Sequence, residues 1–205
     1  MGVHALILAA GQGRRFGGNK LLTEYRGKPL VAHVLDLVAA ARKGGLVSGG
    51  HVTVASDDEA IQSLCTRAGL EPVLNDAAEL GLSYSLQLGL GALDKLAPNE
   101  ASAALVFLGD QPMVRLDVVE QLIGEYRQHR APVLRPRYRQ RPEVPGHPAL
   151  LDRSIWHLAR ELQGDRGIAG LLMTRSIETA MIDVPGDNPD IDTEADLRAL
   201  QEPVP

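Results

Sequence analysis

A mainly apolar segment that runs directly into a glycine-rich loop is the feature that most restricts how this chain can fold. Residues 3–10 read Val-His-Ala-Leu-Ile-Leu-Ala-Ala, and the loop that follows carries Arg14, Arg15 and Lys20 among its glycines. Such a run predicts a buried strand, and the glycines predict a sharp turn with exposed backbone. Bare N–H groups beside cationic side chains suit a polyphosphate, because they supply hydrogen-bond donors and positive charge. The sequence therefore predicts a nucleotide site where the first strand ends.

Two widespread phosphate-binding motifs do not fit this loop. A Walker loop needs Gly-Lys followed by Ser or Thr, but here Asn19 follows Gly18 and Leu21 follows Lys20. The dinucleotide fingerprint needs a third glycine where Phe16 stands. The alternative interpretation is an ordinary glycine-rich turn with solvated basic side chains, since glycine loops alone are weak signals.

Length, charge and cysteine content narrow the class of protein. A chain of 205 residues suits one domain with a substantial core. A net charge of -5 and 3% aromatic residues argue against a nucleic-acid partner. The single cysteine, Cys65, excludes an intramolecular disulfide and fits a reducing cytosol. We expect a cytoplasmic protein without a membrane partner, because the start lacks the basic region of a signal peptide and no apolar stretch is long enough to span a bilayer.

Strand and helix patterns alternate along the chain. Strands are predicted over 51–55, 71–74, 103–108, 131–134 and 177–183, with helices between them, including one over 116–129. Alternation of this kind favours a parallel sheet with helices on its faces.

Three further segments carry residues that suit a ligand site. Asp110 follows the apolar run 103–108, and a carboxylate at the end of a central strand is placed to hold Mg²⁺, although a turn aspartate is the alternative. Gly81, Ser83 and Ser85 precede a helix, where they can donate to a nucleotide or simply cap the helix. Asp165, in a Gly-Asp-Arg-Gly loop, is either a ligand or a helix cap.

Residues 135–147 are rich in cations. Arg135, Arg137, Arg139 and Arg141 alternate, so they share one side if the segment is extended. Such a row is either a solvated face or a grip for an anionic substrate. His147 lies in a Pro-Gly-His-Pro turn, where a structural role is the alternative to substrate contact.

Together these motifs resemble the MobA-like NTP transferase family, nucleotidyltransferases related to molybdenum cofactor biosynthesis. The family form L-A-A-G-x-S-x-R-x-G-x-x-K matches Leu8, Ala9, Ala10, Gly11, Arg15, Gly17 and Lys20, with Gly13 in place of the serine. Gly-Asp-Gln-Pro at 109–112, Gly-His-Pro at 146–148, Gly-Asp-x-Gly at 164–167 and Asp-Ile-Asp-Thr at 190–193 also match, in the family's order.

The resemblance implies a single family domain over 1–205, folded as a three-layer α/β/α sandwich with a mostly parallel, Rossmann-like sheet of the nucleotide-diphospho-sugar transferase type. Alanine at Ala10 resembles the CTP-using branch. The implied activity is transfer of CMP from CTP to the terminal phosphate of molybdopterin or its molybdenum form, with release of pyrophosphate. Transfer to another phosphorylated acceptor, an NAD(P)H-dependent oxidoreductase acting on a small pigment, and a nucleotide-binding regulator without turnover stay open.

The resemblance also assigns roles to residues. Nucleotide contacts are expected from Leu8, Ala9, Ala10, Gly11, Gly13, Arg15, Lys20, Gly81, Ser83 and Ser85. Arg15, Lys20 and Asp110 are the expected catalytic residues, and Asp110 with Asp192 is expected to hold Mg²⁺ or Mn²⁺. Arg139, His147 and Asp165 are expected near the acceptor, a phosphorylated pterin. A client molybdoenzyme or its chaperone is the implied protein partner.

Overall fold

Seven strands form the main sheet of the protein, as seen in a computed structural model that describes residues 2–11, 13, 16, 18–175 and 177–201. The strands are β1 (Val3–Ala9), β4 (Gly50–Ala55), β5 (Glu71–Asn75), β6 (Ala103–Leu108), β7 (Val133–Tyr138), β8 (Ala149–Asp152) and β9 (Thr179–Val184), while β2 (Glu24–Tyr25) and β3 (Lys28–Pro29) form a separate hairpin. The helices are α1 (Leu30–Lys43), α2 (Glu59–Arg67), α3 (Leu82–Leu93), α4 (Leu116–His129), α5 (Gly167–Arg175) and α6 (Glu194–Gln201). Short 3-10 helices span Lys20–Leu22, Ala78–Leu80, Arg153–Glu161 and Gly164–Arg166.

The order of the strands is β5-β4-β1-β6-β8-β7-β9. All neighbours pair in parallel except β8, which runs antiparallel to both β6 and β7. The predicted alternation of parallel strands and helices is therefore confirmed. Strand β8 was not predicted, because four residues between a Gly-Pro turn and a 3-10 helix are too short to show a periodicity.

Alternate residues of the central strands supply two separate cores. Ala5 and Ile7 of β1 and Phe107 of β6 pack with α1, α2 and α4 on one face of the sheet. Leu6 of β1 and Val106 of β6 pack with α3 and α5 on the other face. Successive side chains of a strand point to opposite faces, so an apolar strand needs helices on both sides. The three-layer architecture predicted from the sequence is confirmed.

The topology creates a crevice where β1 and β6 end side by side. The chain leaves β1 toward β4 and β5, and it later enters β6 on the opposite side of β1. Such a reversal leaves an opening at the carboxyl ends of the two strands, where open α/β sheets bind ligands. The Gly109 N–H donates to the Leu8 carbonyl at 3.0 Å, which holds the two strand ends together.

Side chains cap the starts of α2 and α6. Asp58 accepts a hydrogen bond from the Ile61 N–H at 3.0 Å at the start of α2. Thr193 and Asp196 bond reciprocally at the start of α6: the Thr193 N–H donates to the Asp196 carboxylate at 2.7 Å, and the Asp196 N–H donates to the Thr193 hydroxyl at 3.2 Å. Both caps satisfy amides that have no partner within the helix. The cap of α6 also ties the chain at Asp192 and Thr193 to Asp196, next to the crevice.

No helix among the described residues is both long and apolar enough to cross a membrane.

Two buried histidines lie at the end of the sheet opposite the crevice. His4 Nε2 and His51 Nδ1 are 3.0 Å apart. The two residues are 7% and 8% exposed, respectively. Ser48 Oγ lies 3.2 Å from His4 Nδ1, and Glu71 lies 3.3 Å from His51 Nε2. Burial, with the neighbouring His51 and Arg42, lowers the pKa of His4 from 6.5 to about 4. Burial also lowers the pKa of His51, against the attraction of Glu71.

We expect this pair to make the protein less stable as the pH falls from about 7 to about 5. The folded-state pKa of His4 lies below that of the unfolded chain, so the unfolded chain takes up the proton first. The stability is therefore intact above pH 6.5 and is lost as the pH falls toward 4. His4 alone accounts for about 2 kcal/mol over that range. Urea unfolding of wild type and His4→Leu at both pH values checks this, and equal losses in the two proteins would contradict it.

Candidate functional site

A cleft of about 520 Å³ opens at the crevice between the ends of β1 and β6. It is lined by Leu8, Ala10, Gly11, Gly13, Lys20, Leu21, Ala78, Glu79, Gly81, Leu82, Ser85, Leu108, Asp110, Asp165, Asp190 and Asp192. These residues come from the first loop, the start of α3, the end of β6 and the segments before α5 and α6. The cleft therefore gathers parts of the chain that lie far apart in the sequence.

Most residues to which the sequence assigned a nucleotide, metal or acceptor role line this cleft. Those that do are Leu8, Ala10, Gly11, Gly13, Lys20, Gly81, Ser85, Asp110, Asp165 and Asp192. Ala9 lines a neighbouring cavity of about 330 Å³, which shares Ala10 and Gly11 with the cleft. Arg15 lies outside the described residues.

Lys20 lies between the two aspartates predicted to hold a metal ion. Its ammonium donates to Asp110 Oδ2 at 2.8 Å and to Asp192 Oδ1 at 3.1 Å. Burial disfavours the charged lysine, but the attraction and hydrogen bonds of both carboxylates outweigh it and raise the pKa of Lys20. Leu21, 4% exposed in the core beneath, anchors the short helix that carries Lys20. The two carboxylates thus converge on one point of the cleft.

Asp190 is a third carboxylate of the cleft, and the sequence did not single it out as a ligand. The intervening Ile191 is fully buried with Tyr25 and Leu30. Because side chains alternate along an extended segment, a buried Ile191 places Asp190 and Asp192 on the opposite side, toward the cleft. The Asp-x-Asp spacing around an apolar residue was the signal that could have predicted this.

Two buried amides hold Asp190 in place. Gln111 Nε2 donates to Asp190 Oδ1 at 2.7 Å, and Asn188 Nδ2 donates to Gln111 Oε1 at 2.9 Å. Asn188 Nδ2 also donates to the His147 carbonyl at 3.2 Å. Partial desolvation and the charge of Asp110 raise the pKa of Asp190, while the Gln111 hydrogen bond opposes them. These contacts connect the end of β6, the segment before α6 and the 145–148 turn.

We expect Gln111→Leu to lower the free energy of unfolding by about 1–2 kcal/mol, because it removes the hydrogen-bond partner of the buried Asn188 amide. Urea unfolding at neutral pH measures the loss. Gln128→Leu on α4 is the matched control at a position exposed to solvent. An equal and small effect in both variants would show that the amide pair contributes little.

The start of α3 is tied to the loop that carries Asp165. Gly81, at φ +88° and ψ -172°, is the N-cap, and the Leu82 N–H donates to Asp165 Oδ1 at 3.3 Å. The Ser83 hydroxyl donates to the Gly164 carbonyl at 2.6 Å, and Ser83 is 1% exposed and does not line the cleft. Ser85 does line it and accepts from Asn75 Nδ2 at 3.0 Å. Asp165 thus lines the cleft and accepts a hydrogen bond from the start of α3, a helix that precedes it in the chain, whereas the sequence suggested a cap for the helix that follows it.

The arginine row does not form a single face. Strand β7 ends at Tyr138, so Arg139 and Arg141 lie beyond the extended segment. Arg135 is buried, and its guanidinium donates to the carbonyls of Pro145 and Gly146 at 2.5 and 3.0 Å.

The other arginines are exposed, and two of them form ion pairs. Arg137 pairs with Asp183, and Arg141 pairs with Asp187. Arg139 is exposed and does not line the cleft. The four arginines therefore do not share one side, as the sequence had suggested. The chain turns after Tyr138, and Arg135 binds backbone carbonyls whereas Arg137 and Arg141 pair with aspartates.

His147 does not line the cleft. Its carbonyl accepts from Tyr138 Oη at 2.8 Å as well as from Asn188. Desolvation and the nearby Arg135 guanidinium lower the pKa of His147 to about 3. The ring is therefore neutral at physiological pH and supplies no positive charge to a phosphate.

The residues of the cleft fit a divalent cation that arrives with a nucleotide. Over the described part of the chain, no group of three or more His, Cys, Asp or Glu side chains is arranged as a complete metal site. Asp110 and Asp192 nevertheless present carboxylate oxygens to the same nitrogen. Mg²⁺ commonly binds through one or two carboxylates and takes its other ligands from phosphates and water. The donor set suits that mode of binding.

Comparison with known proteins places the fold and the sequence in one family. Nicotine blue oxidoreductase of Paenarthrobacter nicotinovorans is 30% identical over 207 residues, covering 97% of this chain and 96% of that protein. A probable molybdenum cofactor guanylyltransferase of Thermococcus gammatolerans is 30% identical over 145 residues, covering 70% of this chain and 66% of that protein.

A solved structure is also similar over nearly the whole chain. A protein of Mycobacterium tuberculosis H37Rv, crystallised as a complex with manganese, superposes with a TM-score of 0.77 at 25% identity and covers 98% of this chain and 97% of its own. The family model for the MobA-like NTP transferase domain matches residues 5–181. With that match spanning the glycine loop, Asp110 and the Asp165 loop, the chain belongs to the MobA-like NTP transferase domain family.

Proposed function

We propose that this protein transfers CMP from CTP to the terminal phosphate of molybdopterin, or of its molybdenum form, and releases pyrophosphate. The observation that carries the proposal is the convergence of Lys20, Asp110 and Asp192 beside the glycine loop. A cation and two carboxylates next to bare backbone amides are the groups needed to bind a triphosphate together with a divalent cation. The relation to a probable molybdenum cofactor guanylyltransferase supports a pterin acceptor.

The chemical task is to bring two anions together. The acceptor phosphate attacks the α-phosphorus of CTP, the bond to the β-phosphate oxygen breaks, and pyrophosphate leaves with the electron pair. Phosphate is already ionised at neutral pH, so no general base is needed, and catalysis consists of positioning and charge compensation. Lys20, with Arg15, neutralises charge on the leaving pyrophosphate. Asp110 and Asp192 would hold Mg²⁺ or Mn²⁺, which would supply positive charge to the phosphate oxygens.

Preference for a pyrimidine is assigned to Ala10. Ala10 is 4% exposed and lines the cleft, between Leu8 and Gly11 at the end of β1. A methyl group at this position reduces the space available beside the loop, which disfavours a purine relative to the smaller cytosine. A manganese complex of the related mycobacterial protein supports the binding of a divalent cation, and either Mg²⁺ or Mn²⁺ satisfies the proposal.

The acceptor is assigned to the side of the cleft formed by the Asp165 loop. Asp165 lines the cleft and is held against the start of α3. Arg139 and His147 lie away from the cleft wall, so we propose that Arg139 meets the part of the acceptor that extends beyond the cleft. The neutral His147 positions the chain instead, because its carbonyl receives two hydrogen bonds. A client molybdoenzyme or its chaperone would take the product from this side.

The test is pyrophosphate release with each of the four ribonucleoside triphosphates, with and without molybdopterin, in the presence of Mg²⁺ or Mn²⁺. We expect release only with CTP, and only when molybdopterin is present. Release with CTP and a sugar phosphate or alcohol phosphate, but not with molybdopterin, would show that the protein transfers CMP to a different acceptor. Tight CTP binding without release under any condition would make the protein a regulator and overturn the proposal.

Reduction of a small pigment is the second candidate function. The observation that favours it is the match to nicotine blue oxidoreductase, which spans 97% of this chain. The absence of the dinucleotide fingerprint in the first loop opposes it, since Phe16 stands at the third glycine position. Consumption of NADPH in the presence of a small pigment, at a rate independent of CTP, would establish this function instead.

A further inference from the structure

The charges of the cleft are strongly unbalanced. Within the described part of the chain, Lys20 is the only cationic side chain that lines the cleft. The acidic side chains that line it are Glu79, Asp110, Asp165, Asp190 and Asp192. Carboxylates at close range repel one another, and the repulsion grows as the local dielectric falls. Lys20 is therefore a counter-ion that Asp110 and Asp192 share in this structure.

The position of the Lys20 ammonium is well defined. Its side chain is 11% exposed, whereas those of Asp110 and Asp192 are 21% and 50% exposed. The neighbouring Leu21 is buried in the core, and the Thr23 N–H closes the short helix by donating to the Lys20 carbonyl at 3.1 Å. The lysine thus lies between the carboxylates at the start of a short helix whose next residue is packed in the core.

Lys20 and a divalent cation compete for the same two carboxylates. Nζ already lies 2.8 and 3.1 Å from oxygens of Asp110 and Asp192. A cation that binds both oxygens at ordinary coordination distances would have to share that space with the ammonium, and the two positive charges would repel each other. One of them has to leave before the other can bind both aspartates.

We propose that Lys20 closes the carboxylate pair to metal ions until a polyphosphate draws the ammonium away. Metal alone then binds weakly, and nucleotide and metal bind with positive cooperativity, because the phosphates provide a new partner for Lys20 and further ligands for the cation. The identity of the polyphosphate as CTP rests on the proposed function. The block to metal binding does not, because it involves only Lys20, Asp110 and Asp192.

The experiment measures Mn²⁺ binding in the absence of nucleotide, by the electron paramagnetic resonance signal of free Mn²⁺. Wild type is compared with Lys20→Met, which removes the charge, and with Lys20→Arg, which keeps it. We expect Lys20→Met to bind Mn²⁺ about tenfold more tightly than wild type and Lys20→Arg to stay within about threefold of it. Lys28→Met is the matched control, since Lys28 pairs with Asp36 outside the cleft.

Equal or weaker Mn²⁺ binding by Lys20→Met would overturn the proposal, because it would show that the lysine organises the carboxylates without blocking them. Circular dichroism confirms that each variant is folded, and Lys20→Gln replaces Lys20→Met if that variant is not. The outcome is independent of catalysis. A protein that transfers no CMP but shows the tenfold effect would refute the proposed function alone, and active enzyme without the effect would refute the closure alone.

Discussion

We expect Asp110→Asn to lower kcat/KM for the proposed CMP transfer by roughly 10³-fold, measured as pyrophosphate release with saturating acceptor. Asparagine has nearly the same shape, so the end of β6 keeps its contacts with the neighbouring segments. These include the hydrogen bond from the Ile191 N–H to the Asp110 carbonyl at 3.3 Å. The variant loses the negative charge that Lys20 Nζ meets at 2.8 Å and that a divalent cation would use. An effect confined to the site should leave the unfolding midpoint nearly unchanged.

Asp117→Asn is the matched control for Asp110→Asn. Asp117 is an acidic residue in the first turn of α4 that pairs with Arg115 and does not line the cleft. The same change of one carboxylate to an amide there should leave kcat/KM within about twofold of wild type. Transfer by Asp110→Asn at a rate near that of wild type would show that this carboxylate does not take part, and the assignment of the site would be wrong.

Gly81→Ala lowers the free energy of unfolding by about 3 kcal/mol, which corresponds to a fall in melting temperature of roughly 10 °C. Gly81 adopts φ +88° and ψ -172°, a region that side chains exclude. An added Cβ would lie 2.5 Å from Asp165 Oδ1 and 2.8 Å from the Gly164 carbonyl oxygen. Either α3 or the 164–166 loop has to move, so we also expect a higher KM for the nucleotide.

Gly91→Ala is the control for Gly81→Ala. It makes the same substitution in the same helix, at a glycine that does not have a positive φ. Gly91 is exposed, and an added Cβ there would meet no atom within 4 Å. Alanine is the better helix former, so this variant should gain up to about 1 kcal/mol. Differential scanning calorimetry of both variants measures the contrast. A fall of less than about 2 °C for Gly81→Ala would mean that the 164–166 loop yields easily and does not brace the cleft.

The order of the elements was predictable because it depends on local patterns. The apolar run of β6 and the amphipathic spacing of α4 were placed at residues 103–108 and 116–129, as the structure has them. The reciprocal cap of α6 was also visible in the residues themselves, since Thr193 and Asp196 are three positions apart. In each case neighbours in the chain supply the determining contacts.

Contacts between distant segments were harder to predict. Asp190 faces the cleft because Ile191 is buried with Tyr25, and no local pattern specifies that partner. Arg135 resembles its exposed neighbours in the sequence, yet it is buried and bonded to two carbonyls of the 145–148 turn. Strand β8 exists because its edges pair with β6 and β7. These features follow from pairing and burial across the fold, which depend on residues far away in the chain.

The sequence by itself identified residues that we propose to carry the chemistry: a glycine loop with Lys20, Asp110 after a central strand and Asp192 before the last helix. Residue types and short spacings specify such groups because hydrogen bonding and charge belong to the side chains themselves. Only the tertiary structure decided that Lys20 lies between Asp110 and Asp192, and that His147 and Ser83 do not line the cleft. Distances between side chains depend on how the sheet and helices pack, because burial of the two cores fixes where each strand end and loop lies.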